Sequence, residues 1–161
     1  MNKRIIKTLS TIGILLFFLP FFQTCSDQQL ATKPNWSLKT PEVVVAPTAE
    51  ESAMKAKLLQ ASKENATVTG YELALHEVDG LAATWVFSLM MLLNFVIWVN
   101  ALRNQFSNLM IVIFFNIVLI LFAFALFLYA ASDIRQIKYG MLLFTINTVA
   151  LFSLIYKENS T

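Results

Sequence analysis

Residues 109–130 read LMIVIFFNIVLILFAFALFLYA, a run that holds no charged side chain. As a helix this run is about 33 Å long, and a bilayer core about 30 Å thick takes about 20 apolar residues to cross. Its apolar side chains lie on all sides of the helix rather than along one stripe, which is typical of a membrane span. The stretch therefore predicts an integral membrane protein built from helices.

The composition of the whole chain agrees with this interpretation. Of its 161 residues, 57% are hydrophobic and 14% are charged, and the mean hydropathy is +0.64. Ordinary soluble domains carry about 25% charged residues. The net charge of +2 is too small to indicate nucleic-acid binding.

Two further apolar segments, at 81–101 and 139–156, lie on either side of this stretch. Backbone groups inside lipid must bond to one another, so each segment is predicted to be a helix. The links between the three segments are short. Consecutive helices are therefore expected to be antiparallel neighbours.

The chain starts with a basic segment that is followed by an apolar run at 5–22. This pattern fits either a secretory signal or a membrane span that is kept. The tripeptide FQT ahead of Cys25 suits a lipoprotein cleavage site poorly. We predict that residues 1–24 form an uncleaved signal anchor. The alternative is a lipoprotein-like protein that is modified at Cys25 and has three spans.

Positive charge sets the expected orientation in the membrane. Lys3, Arg4 and Lys7 precede the first span, which predicts a cytoplasmic N-terminus. Four spans then return the short tail to the cytoplasm. The predicted fold class is an all-α membrane protein, a bundle of four transmembrane helices with one long extracytoplasmic loop, residues 25–80, between helices 1 and 2. The expected location is the cell membrane, specifically the bacterial inner membrane.

The 25–80 loop holds eight acidic and five basic side chains. A helix is predicted near 49–64, with Met54, Leu58 and Ala61 on one narrow face that suits packing on a partner or on the membrane surface. A short strand at 43–45 is a further possibility. The loop is too small and polar to bury a core of its own. We therefore expect it to pack on the helix bundle or on another protein.

Two short motifs lie at the ends of this loop. FLPFFQTC at 18–25 ends the first span, and TGYELA at 69–74 precedes the second. In these motifs the chain resembles small uncharacterised bacterial four-span membrane proteins. The resemblance implies the four-span arrangement and supplies no activity.

Few residues are candidates for chemistry. His76 is the only histidine, and Glu72 lies one helical turn before it, so the two could hold a metal ion at the membrane edge. Zinc sites usually use more His or Cys ligands, and a solvated acidic turn is the competing interpretation. Cys25 has no partner for an internal disulfide. No nucleotide-binding or nucleophile motif occurs, so we expect no cofactor and no enzymatic activity.

Asparagine is the more informative residue type. Each of the last three spans holds one well inside the membrane: Asn94, Asn116 and Asn147. Such amides usually bond to a neighbouring helix, at roughly 0.6–2 kcal/mol each. We predict interhelical polar contacts at all three, with Asn94 facing Asn116 and with Thr145 or Asn147 nearby.

Three classes of function are compatible with the sequence. The first is a non-enzymatic accessory or scaffolding subunit of a membrane complex, which presents its loop outside the cytoplasm and binds a protein partner or a second copy through its helices or that loop. The second is a small oligomeric transporter or channel, although the spans lack the charged groups that ion-coupled transport usually needs. The third is a membrane enzyme that uses His76 and its neighbouring acids.

Overall fold

The computed structural model describes residues 2–24, 49–75, 84–105, 109–131 and 134–159. Most of these residues are helical. A 3-10 turn, Ile134–Gln136, precedes the last helix. The helices and strands in chain order are α1 (Asn2–Leu16), β1 (Pro20–Gln23), α2 (Ala49–Asn65), β2 (Thr67–Thr69), α3 (Gly70–Leu75), α4 (Thr84–Leu102), α5 (Leu109–Ala130) and α6 (Tyr139–Asn159).

Three helices, α4, α5 and α6, are long and apolar enough to cross a membrane. Their outward faces carry large apolar side chains that the described part of the chain leaves uncovered, such as Leu121, which is 64% exposed. A water-soluble protein would bury such a surface, whereas lipid solvates it without cost. These helices lie where the sequence places the last three spans, and α6 continues past residue 156 to Asn159. The fold is that of a multi-pass membrane protein.

Helix α1 completes a four-helix bundle. It packs against α4 and α6, and α5 packs against the same two helices from the other side. Ile6 near the start of α1 shares a cluster with Ile97 and Ile155, which lie late in α4 and α6. Helix α1 is therefore antiparallel to both of its neighbours.

The buried positions of α5 recur at alternating spacings of four and three residues. This heptad pattern places one seam of a helix against its neighbours, as in left-handed bundles. A polar residue, Asn116, occupies one of the seam positions. The seam consists of Leu109, Ile113, Asn116, Ile120, Ala123 and Phe127.

The expectation of one continuous first helix over 5–22 is wrong at its far end. The amides of Phe17, Phe18 and Leu19 bond to carbonyls three residues back, which tightens and closes the last turn. Pro20 lacks a backbone N–H and disfavours helical geometry at the residue before it. The chain therefore leaves the helix after Leu16 and continues as β1.

Strand β1 is paired on both sides. It pairs antiparallel with β2, with Phe22 opposite Val68. On its other side Phe22 forms a single bridge with Ile137, and the Phe21 carbonyl accepts a 2.9 Å hydrogen bond from the Lys138 amide. These bonds satisfy the backbone groups that the end of α1 releases, which a segment close to lipid requires.

Two apolar clusters fill the interior, one at each end of the bundle. The aromatic cluster lies at the end that carries the strands, and six of its buried members are phenylalanines. Its buried residues are Phe17, Phe21, Phe22, Leu73, Ala74, Val86, Phe87, Met90, Ile120, Ala123, Phe127, Met141 and Phe144. The aliphatic cluster lies at the opposite end and consists of Ile6, Ile97, Ala101, Leu109, Ile113, Leu151 and Ile155.

Segment 67–75 packs against the helix bundle, as expected for part of a loop that cannot form its own core. Leu73 and Ala74 of α3 are buried members of the aromatic cluster. Helix α2 is different, because its described side chains are mostly exposed and its main contact is with β2. The strand considered at 43–45 lies outside the described residues.

Candidate functional site

A layer of buried polar side chains separates the two apolar clusters. In each long helix it falls between a residue of the aromatic cluster and one of the aliphatic cluster; in α4, for instance, it lies between Met90 and Ile97. All four helices of the bundle contribute to it. The polar layer consists of Ser10, Asn94, Asn116, Asn147 and Thr148, together with Gly13 of α1.

Among the described residues, Asn147 is the one of the three asparagines that makes an interhelical hydrogen bond. Its Nδ2 donates to the Leu9 carbonyl of α1 over 3.1 Å, while its Oδ1 is buried with no partner in the described part of the chain. This bond joins residues 138 positions apart in the chain. It therefore fixes α6 against α1.

Gly13 makes room for two of the amides. A Cβ at this position would lie 2.9 Å from Asn94 Oδ1 and 3.0 Å from Asn147 Nδ2. These distances are shorter than ordinary van der Waals contacts, so the absence of a side chain on α1 leaves space that the amides from α4 and α6 use. The two amides consequently converge on α1.

Asn116 does not make the contact that the sequence predicts. Its side chain is fully buried, and neither its Oδ1 nor its Nδ2 has a hydrogen-bond partner among the residues that the structure describes. The predicted bond between Asn94 and Asn116 is therefore not formed. The Asn94 amide instead lies beside Gly13 of α1. Thr145 also makes no interhelical bond through its hydroxyl, which donates to the Met141 carbonyl of its own helix.

Two further polar contacts are missing from the sequence-based list. The Trp98 indole Nε1 donates to the Thr11 hydroxyl over 3.1 Å, which ties α4 to α1. At the strand end, buried Gln136 donates through Nε2 to the Gln23 carbonyl over 2.9 Å. A polar residue within an apolar run signals such contacts only weakly, because its partner is distant in sequence.

Glu72 has a local structural role. Its carboxylate accepts hydrogen bonds from the Thr69 amide and hydroxyl, over 2.7 and 2.9 Å, and the Glu72 amide donates to the Thr69 hydroxyl in return. This reciprocal arrangement is a capping box at the start of α3. His76 and Cys25 lie outside the described residues. Within the described ranges, no group of three His, Cys, Asp or Glu side chains is placed to hold a metal ion.

A cavity of about 400 Å³ opens beside the polar layer, between α1, α3 and α4. Its walls are mostly apolar and include four aromatic side chains, and the polar residues Ser88 and Asn94 also line it. One wall is formed by Phe18 and Tyr71, whose rings stack with centroids 5.5 Å apart. The cavity can hold an uncharged, mostly apolar molecule.

The chain was compared with protein-family models, with curated proteins and with solved structures, and none of them matches it.

Proposed function

We propose that the protein spans the membrane four times, with α1 as the first span and residues 25–80 as one loop outside the cytoplasm. The outward face of α1 supports this, because it presents exposed apolar side chains at Ile5, Ile12 and Leu15. The hydroxyls of Thr8 and Thr11 on that face bond to carbonyls of their own helix, which reduces their need for water.

Retention of α1 is part of the proposal. The segment supplies buried members to both apolar clusters, and β1 pairs with β2. Cleavage ahead of Cys25 would remove all of these contacts. The basic residues Lys3, Arg4 and Lys7 favour a cytoplasmic N-terminus, and four spans favour a cytoplasmic C-terminus. The membrane would be a bacterial inner membrane.

In this membrane the protein acts as a non-enzymatic accessory or scaffolding subunit that binds another protein through α2. The observation that carries the proposal is the exposure of Met54 and Leu58, 64% and 43%, on a helix whose main contact is with β2. Apolar side chains on a helix outside lipid favour a protein partner. Transport is less well supported, because the polar layer lies between two apolar clusters and no described residue of the polar layer is charged.

Site-specific photo-crosslinking in intact cells tests the partner. A photoreactive residue at Met54 or Leu58 is expected to give a crosslinked product of discrete mass. The same residue at Ala56, which is exposed on the opposite face of α2, is the matched control and is expected to give none. Equal crosslinking from both faces, or none from Met54 and Leu58, would contradict the proposal.

Cysteine labelling tests the topology separately. In a Cys25→Ser background, a cysteine at Gln60 is expected to react with a membrane-impermeant maleimide in intact cells, and a cysteine at Glu158 only after permeabilisation. The intact mass of the purified protein reports whether residues 1–24 are retained. Labelling of the Glu158 position from outside would overturn the proposed orientation.

A further inference from the structure

The cavity between α1, α3 and α4 has an exposed rim and a buried inner end. Leu92 and Phe95 of α4, at the rim, are 57% and 51% exposed, and Phe18, in the turn after α1, is 59% exposed. Asn94 is only 2% exposed, so it lies at the inner end. A molecule that entered from the surrounding lipid would pass apolar side chains before it reached this amide.

The Asn94 amide is available to such a molecule. Among the residues that the structure describes, no hydrogen bond to it is present, whereas the neighbouring Asn147 amide already donates to Leu9. A buried amide offers both an N–H donor and a carbonyl acceptor, and leaving either group without a hydrogen bond is unfavourable. A ligand with a carbonyl or hydroxyl group at this point would satisfy them.

The size and lining of the cavity narrow the class of ligand. An apolar cavity of about 150 Å³ holds benzene, so about 400 Å³ holds a ring together with the first part of a chain. Phe17, Phe18 and Phe95 provide surfaces on which a flat ring packs favourably. None of the described residues that line the cavity is charged, which favours a neutral ligand.

We propose that this cavity binds an isoprenoid quinone. Its ring would lie among the phenylalanines, with one ring oxygen bonded to Asn94, and its apolar tail would leave past Leu92 into the bilayer. An ordinary phospholipid is a poorer fit. Its acyl chain has nothing to bond to Asn94, and its polar groups remain at the headgroup level. The inference rests on the membrane position of α1 and α4 proposed above.

Photolabelling of the full-length protein tests this inference. The purified protein in phosphatidylcholine nanodiscs is irradiated with an azido-substituted, short-chain ubiquinone, and labelled peptides are identified by mass spectrometry. We expect saturable labelling of peptides from α1 and α4 that unlabelled ubiquinone displaces. Asn94→Leu is expected to need about tenfold more quinone for half-saturation, which is the loss of one well-made hydrogen bond.

Two other variants test whether quinone labelling depends on this cavity. Asn100→Leu is the matched control, because Asn100 is also in α4 but bonds to the Val96 carbonyl of its own helix, away from the cavity. It is expected to label like the wild type. Leu92→Trp narrows the rim at an exposed position and is expected to reduce labelling even if Asn94→Leu folds poorly.

A parallel sample carries a phospholipid with a photoreactive acyl chain. Phospholipid labelling of the cavity peptides that quinone does not displace would overturn the inference. So would unsaturable quinone labelling, or equal half-saturation in the wild type and Asn94→Leu. If the cysteine-labelling topology remains intact, such a result removes the quinone site and leaves the four-span architecture standing.

Discussion

The two ends of the bundle are held together in different ways. The aliphatic cluster joins the helices through Ile, Leu and Ala at seam positions, with no other type of structure involved. The aromatic cluster also has to hold β1 and the 67–75 segment in place, and it does so with stacked rings and strand pairing. The strand end consequently depends on a few specific contacts, whereas the opposite end depends on a repeated pattern that tolerates exchange of one apolar residue for another.

The largest effect is expected from Phe127→Ala. Phe127 stacks on Phe22 and Phe87, with ring centroids 4.6 and 5.3 Å away, so its removal loosens β1 and α4 together. Truncating a buried Phe to Ala typically costs about 3–5 kcal/mol of unfolding free energy. Reversible unfolding in detergent micelles measures the loss. Phe114→Ala on the lipid-facing side of the same helix is the control, with little change expected.

A pair of glycine substitutions compares the strand end of the bundle with the polar layer. A Cβ on Gly140 would lie 2.9 Å from Leu19 Cβ and still closer to the Pro20 carbonyl, so Gly140→Ala is expected to push α6 from β1 and cost about 2 kcal/mol. In Gly13→Ala the new atom meets amide side-chain ends that can move, and alanine favours helix by about 1 kcal/mol. We expect that variant to be close to neutral. If Gly13→Ala lost more unfolding free energy than Gly140→Ala in the same assay, the strand end would not be the more sensitive of the two regions.

The polar layer is tested by two leucine substitutions. Asn147→Leu removes the bond to Leu9 and should cost roughly 0.6–2 kcal/mol. Asn116→Leu replaces an amide that has no partner, so stability is expected to stay level or rise by up to about 1 kcal/mol. This reverses the expectation from the sequence, which gives Asn116 a helix partner. If Asn116→Leu is the less stable variant, Asn116 has a partner that the structure does not describe.

Among the substitutions expected to lower stability, Trp98→Phe is expected to give the smallest loss. It keeps an aromatic ring against α1 but loses the hydrogen bond to the Thr11 hydroxyl. A single neutral bond contributes about 0.5–1.5 kcal/mol. Thr11→Val should produce a similar loss, and the double variant should lose no more than either single one. Additive losses would mean that the two side chains act independently.

The sequence alone determined the three long helices, because lipid solubility depends on the side chains of each segment by itself. The 109–130 prediction coincides with α5, and the buried residues of α5 follow a spacing that is visible in the printed sequence. The sequence also indicated that amides lie inside the bundle, since an isolated polar group within an apolar run avoids lipid.

Only the tertiary structure decided how the first span ends and which partner each amide finds. Strand β1 exists because β2, more than forty residues later, and the chain before α6 supply its hydrogen bonds. Asn147 pairs with Leu9 rather than with another asparagine because Gly13 opens space on α1. These outcomes depend on which atoms meet across the bundle. Hydropathy is summed along the chain and carries no information about contacts between residues that are distant in sequence.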